Sequence, residues 1–224
     1  MGKLNNHIVV DVLDLLKNNN VESNVICNVL KLLCNNGTFD CAAIYEISHN
    51  KFNLMEHYDD SSISFHPFLA LDNYQVDDKV YCVSKDNVDE SNFASQLFTI
   101  YNAKTLFAVP IVDDKKCMEG FVTIFNIHDD NILDDDSVNI LSSLLYMLVH
   151  YVDRRIYVKK SESSMTTLDA VLNNSGIDVY VNDYDNHDIL YVNQSMAAPY
   201  GGVKKLMGRK CWESLFPGQS GPCD

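Results

Sequence analysis

The chain has 224 residues, which suits one large domain or two small ones, and its 46% hydrophobic and 21% charged residues match a soluble globular protein. Its net charge of −14 argues against nucleic acid as a partner, since phosphate binding needs basic patches. No apolar run reaches the roughly 18 residues of a membrane span, and Asp11 and Asp14 interrupt the first apolar stretch, which does not read as a signal peptide. The seven cysteines form no CxxC pair and mostly sit in apolar segments. The expected setting is therefore a reducing cytoplasm, with no membrane partner.

Two helices are expected first. Ile8, Val9, Val12, Leu13, Leu15 and Leu16 form one apolar face. Val25, Ile26, Val29, Leu30 and Leu33 repeat at helical spacing, with Ser23 as N-cap and the "NNG" at 35–37 as stop. The segments 40–48 and 51–59 read as two strands across the "HN" turn. Residues 60–104 are ambiguous, with a strand expected at 79–84 and a helix at 90–102.

"TLFAVPIV" (105–112), "DDKK" and "CMEGFVTIFNI" (117–127) make an antiparallel hairpin. Its strands are almost continuously apolar, which implies a sheet covered on both faces. Pro110 lies inside the first strand, where an edge or a bulge is required. Next comes a long helix in which Val138, Leu141, Leu145, Leu148 and Val152 step by 3, 4, 3 and 4, a heptad seam. Composition turns polar at 158–165, where a linker is expected before a short helix that stops at Gly176. Two alternating strands (177–183 and 188–193), a compact turn and a closing helical segment at 203–216 complete the chain. The Gly/Pro/Ser loop "PGQSGPCD" comes last.

Residues 20–157 resemble a GAF domain. The carriers are "NVICNVLKLL", "CAAIYEIS…KFNLMEHY", "TLFAVPIVDDKKCMEGFVTIFNI" and "LDDDSVNILSSLLYMLVHYVDRRI". Residues 165–224 resemble the N-terminal half of a PAS domain, through "YVNQSMAAPYG" and "LMGRKCWESLF". The resemblance implies an α+β fold: a GAF-like antiparallel sheet with helices on both faces, a long connecting helix, then a partial PAS-like α/β segment. The expected domains are an N-terminal helix (1–19), a GAF-like sensory domain (20–157), a linker (158–164) and a truncated PAS-like domain (165–224). It also implies a piece of a larger signalling protein, similar to the sensory region of bacterial GGDEF diguanylate cyclases or sensor histidine kinases. The sequence itself carries no GGDEF signature, kinase nucleotide loop or phosphoacceptor box.

Placement in the family fold gives Tyr45, His66, Tyr81, Phe107 and Phe125 as pocket-lining candidates. His66, in "SFHPFLA", could hydrogen-bond a ligand or bind haem iron; a loop histidine is the plainer reading. His7 and His57 have no second histidine at ligand spacing. Cys82 could anchor a bilin, but no Cys–His dipeptide accompanies it, and a small buried hydrophobe is the plainer reading. Cys211 and Cys223 would need further ligands to hold a metal or cluster. The acidic run 134–136 suits the start of a helix, where carboxylates favour the dipole, better than a metal. No nucleophile elbow or local catalytic motif is present.

The expected function is a cytoplasmic signal-sensing module without enzymatic activity. An unidentified small molecule would bind in the GAF pocket, and the seam Val138–Val152 would pass a change in helix packing to an output domain. A homodimer is expected through the helices at 7–17 and 138–157; no cofactor is specified. The alternative is a dimerisation scaffold whose pocket is filled by Phe65, Phe68, Phe107 and Phe125. A third reading, a reductase of free methionine sulfoxide, lacks a paired-cysteine site.

Overall fold

The computed structural model of the chain describes residues 4, 7–17, 25–37, 39–59, 63–71, 77, 79–89, 92–128, 133–216 and 218–222. Ser23 and Cys223, each part of an expectation above, lie outside them. The chain divides into two units, Met1–Arg155 and Ile156–Asp224.

The first unit opens with helices α1 (His7–Lys17) and α2 (Val25–Gly37), as their apolar periodicity requires. Strands β1 (Cys41–Ser48) and β2 (Lys51–Asp59) follow. Their tight turn holds His49 and Asn50 both at positive φ, 54° and 60°, the geometry that matches strand twist in a two-residue hairpin. A two-residue strand β3 (Phe68–Leu69), strand β4 (Tyr81–Ser84) and helix α3 (Phe93–Ile100) occupy the stretch that is ambiguous in sequence. Asn92 caps α3 by accepting the Ser95 N–H. The hairpin β5 (Thr105–Val112) and β6 (Met118–Asn126) completes one sheet in the order β3-β2-β1-β6-β5-β4. Every neighbouring pair is antiparallel.

Pro110 keeps its place because β4 pairs only with Thr105–Ala108. Beyond that point the outer side of β5 has no ladder for a missing N–H to interrupt, and a register shift follows at Ile111/Val112. Gly120 leads the inner part of β6 for a steric reason. A Cβ there would stand 2.2 Å from the Tyr45 carbonyl oxygen on β1.

The two faces of this sheet are both covered. Cys41, Ala43, Tyr45, Leu106, Ala108, Phe121 and Phe125 share one face with Phe93, Ala94 and Leu97 of α3. The alternate residues Ile44, Phe107, Val109, Ile111, Val122 and Ile124 occupy the other and are at most 1% exposed. On that side α2 packs beside β1 and β2, and Phe39, just after α2, meets the Phe107 ring edge-on at 5.8 Å. This is the α+β layering expected from the continuous apolar strands.

The long helix differs from expectation. α4 (Asp135–Asn174) is one continuous 40-residue helix, so the stretches read as a linker and a separate short helix both belong to it. No Pro or Gly interrupts it, and helix formers outweigh the lack of an apolar face at 159–164. The division between the units falls within it.

In the second unit β7 (Tyr180–Asn182) and β8 (Ile189–Val192) form an antiparallel pair. The turn that follows contains α5 (Gln194–Ala197) and a single 3-10 turn at Ala198–Tyr200. The closing segment is two short helices, α6 (Val203–Leu206) and α7 (Cys211–Leu215), parted at Gly208 with φ 72°. Ile189, Val192, Ala197, Leu206, Cys211 and Leu215 form a small core of their own.

Candidate functional site

The strongest concentration of polar chemistry inside an apolar layer lies on the α3 face of the first unit. Strand alternation turns Tyr45 inward, and the end of α3 brings Tyr101 beside it; they are 0% and 7% exposed. Their hydroxyls hydrogen-bond each other. Tyr45 donates to the His66 carbonyl at 2.9 Å, so the shared proton between the two rings comes from Tyr101. The His66 backbone N–H in turn hydrogen-bonds the Tyr101 hydroxyl. Two tyrosines thus hold the backbone on both sides of His66, in the 63–71 segment, over the sheet. Burial, then the bond to Tyr101, holds the Tyr45 phenol far above its usual range. Burial also raises Tyr101, against the lowering effect of its hydrogen bonds. Both remain neutral donors at any physiological pH.

Aromatic rings surround this clamp. Tyr45 stacks on Phe121 at 5.0 Å and Tyr101 on Phe125 at 4.8 Å. Phe65 closes over Tyr101 and Phe125, at 5.6 and 6.0 Å. Tyr81 meets Phe93 edge-on at 5.0 Å. The rings pack on one another and leave a few hydroxyl and peptide groups inside an otherwise apolar layer.

Of the residues expected to line a pocket, Tyr45, Tyr81 and Phe125 share this face. His66 contributes its backbone, whereas its imidazole is exposed, 6.0 Å from the Tyr101 ring. Phe107 is placed on the opposite face, because it pairs with Ile124 and follows the opposite phase of β5. Of the expected filling residues, Phe65 and Phe125 are inside, while Phe68 is 60% exposed beneath the Lys51 ammonium. Tyr101 escapes the sequence reading: it lies at the end of a helix in the stretch without a clear pattern, and only its proximity to other aromatic residues could have marked it.

The heptad seam is also accounted for. Leu141, Leu145, Leu148 and Val152 are 0% exposed within the chain, and Val138 is half-buried. That seam is spent on the chain's own core and is not a free face for a second copy. Ile8 and Val12 of α1 are buried likewise.

Other candidates resolve into structure. Asp134 accepts the Ser137 N–H at 2.9 Å, and Asp135 and Asp136 occupy the first turn of α4, where the dipole favours them. His7 and His57 are exposed, the latter against Phe65 at 5.0 Å. Cys82 is exposed on β4, contrary to the buried role expected, and Cys211 is buried in the second unit. Among the described residues no group of three His, Cys, Asp or Glu side chains could hold a metal ion, and no helix is long and apolar enough to cross a membrane. The second unit carries an open hollow of about 500 Å³ lined by Gln194, Ala197, Ala198, Gly201, Gly202, Val203 and Lys204.

No family model and no curated protein matches the sequence. Solved structures do match. The chromophore-binding domain of a bacteriophytochrome from R. palustris aligns with a TM-score of 0.53 at 10% identity, over 73% of this chain and 64% of that one. A phycoerythrobilin-bound GAF domain from a cyanobacterial phytochrome aligns with a TM-score of 0.52 at 10% identity, over 67% of this chain and 96% of that one. At such identities the likeness is one of fold. The six-stranded antiparallel sheet with helices on both faces is a GAF-like fold.

Proposed function

We propose that the chain is a signal-sensing regulatory module, with the tyrosine-clamped aromatic layer of the first unit as its small-molecule site. The observation that supports this reading is the clamp itself. Two buried hydroxyls hold the backbone of a segment that has only two residues of strand structure. A ligand offering its own hydrogen-bonding group would replace the His66 peptide and lift that segment. A ligand shifts such an equilibrium only by its differential affinity for the two states, typically about 1–3 kcal/mol. The phycoerythrobilin of the matched GAF domain is a guest of a comparable fold. It suggests the class of guest: a planar, conjugated or otherwise apolar molecule with polar ends. α4 is the element through which the change would travel, because its first half belongs to the first unit and its last turns to the second, where Asp169 and Leu172 hydrogen-bond Tyr191 and Asn193.

In this reading the second unit is a PAS-like relay, and the output is a diguanylate cyclase or histidine kinase. Self-association would use the exposed residues Val158, Met165 and Leu168 of α4, in place of the buried seam.

The test is native mass spectrometry of freshly purified protein, with Tyr101→Phe beside it. A co-purifying small molecule that is retained by the wild type and lost from Tyr101→Phe supports the reading. Bare mass in both, with no ligand-induced rise in Tm across a bilin and haem panel, overturns it. The continuous ring stacking favours a second reading in that case: a scaffold whose pocket is filled by its own side chains.

A further inference from the structure

β4 is the last strand of the six-stranded sheet, and a terminal strand carries backbone groups that can template another chain. Its inner side pairs with Thr105–Ala108 of β5. On its outer side, among the described residues, Asn87 takes three of the backbone groups. The Asn87 Nδ2 donates to the Cys82 carbonyl at 2.9 Å, and its Oδ1 accepts the Ser84 N–H at 2.6 Å. Its own backbone N–H donates to the Ser84 carbonyl at 3.2 Å. The side-chain amide therefore occupies a carbonyl and an N–H that a seventh strand would otherwise pair with.

We infer that Asn87 is a built-in guard of the β4 edge, and that its removal opens the sheet to strand addition by a second copy of this chain. The occupant follows from the groups themselves. Around a two-fold axis through Val83, the Ser84 N–H of each copy faces the Cys82 carbonyl of the other, the reciprocal pattern of an antiparallel pair. The same two groups that Asn87 satisfies are thus complementary to themselves. Tyr81 and Val83 are buried in the sheet's own core, so the bonds that would join two copies are backbone bonds, and blocking those bonds blocks the pairing. This inference is independent of any ligand in the aromatic layer.

Sedimentation velocity over a wide concentration series tests it on the full chain. The wild type is expected to keep one mass throughout, and Asn87→Ala to form a concentration-dependent species of twice that mass. Adding Ser84→Pro to Asn87→Ala removes the N–H that the pairing needs and is expected to restore the wild-type mass, since proline is tolerated on an edge. Asn87→Asp frees the Cys82 carbonyl but keeps the acceptor on the Ser84 N–H, and is expected to hold the wild-type mass. Folded Asn87→Ala that holds the wild-type mass at every concentration overturns the inference. So does a doubled mass that persists with Ser84→Pro present.

Discussion

Asn193 is fully buried, and its amide serves four backbone groups at once. Oδ1 accepts from Val179 N–H at 3.0 Å and Met196 N–H at 3.2 Å, and Nδ2 donates to the carbonyls of Leu172 at 2.9 Å and Ile177 at 2.7 Å. Asn193→Ala leaves these groups without a partner in a small core, and is expected to cost the second unit about 3 kcal/mol. Trp212, the sole tryptophan, lies in that unit, so urea denaturation followed by its fluorescence reads the loss directly. The helix-capping part of this role is legible in "YVNQSMA", where an Asn precedes a helical turn. The other three partners come from residues 172–179, and no local pattern announces them. Tyr101 is hidden for the same reason, because its partners Tyr45 and His66 are remote in sequence.

Asp40 shows how one carboxylate can tie a strand end down. It accepts the Ile127 and His128 N–H groups at 2.7 and 3.1 Å and faces the His128 imidazole at 3.3 Å. Burial raises its pKa, but these bonds and the nearby imidazole together outweigh burial and bring it below the usual value. A carboxyl with a depressed folded pKa stabilises fully above the unfolded value of about 3.9, and that contribution fades as pH falls through the lower folded value. Asp40→Asn should therefore lower Tm near neutral pH, and the gap to the wild type should close below about pH 4. Thermal melts of both proteins by near-UV circular dichroism across the acid range check this; a gap that is constant with pH would refute it.

At the scale of elements, α4 separates burial from hydrophobicity. Leu145 is 0% exposed and Met165 is 62% exposed on the same helix. Leu145→Ala should cost about 3 kcal/mol by transfer and cavity terms together, whereas Met165→Ala should change stability by less than about 0.5 kcal/mol. Chemical denaturation of the two variants gives the comparison. The 3-4 spacing of the seam is legible in sequence, but which partner it meets is not, since a seam looks the same whether it packs on its own chain or on another. The linker expected at 158–164 is misplaced because polarity mimics a break. A helix supported on both sides of a polar stretch needs only adequate propensity to continue through it. The strands are the most legible elements: near-continuous apolar runs specify burial on both faces, and the structure buries them so. Phe107 falls on the face opposite to the expected one because a continuously apolar strand hides its own phase.

For the whole molecule, the charge of −14 is the property that reaches beyond any one contact. Like charges on a folded chain repel more than on an expanded one, so the imbalance lowers stability at low ionic strength. The screening length is about 30 Å at 10 mM salt and about 8 Å at 150 mM, which spans the change from molecule-wide repulsion to nearest neighbours only. Raising sodium chloride over that range at pH 7.5 should therefore raise Tm. The isoelectric point near 4.7 supplies the control, since close to it the net charge vanishes and the same salt should leave Tm nearly unchanged. Equal salt responses at both pH values would show that specific ion pairs, not the overall imbalance, govern the dependence. The exposed pair Lys79–Asp77, at 2.8 Å, is of the kind worth little once solvated and adds little to that dependence. A long-range repulsion of this kind also opposes the close approach of two copies, and it fades over the same range of salt.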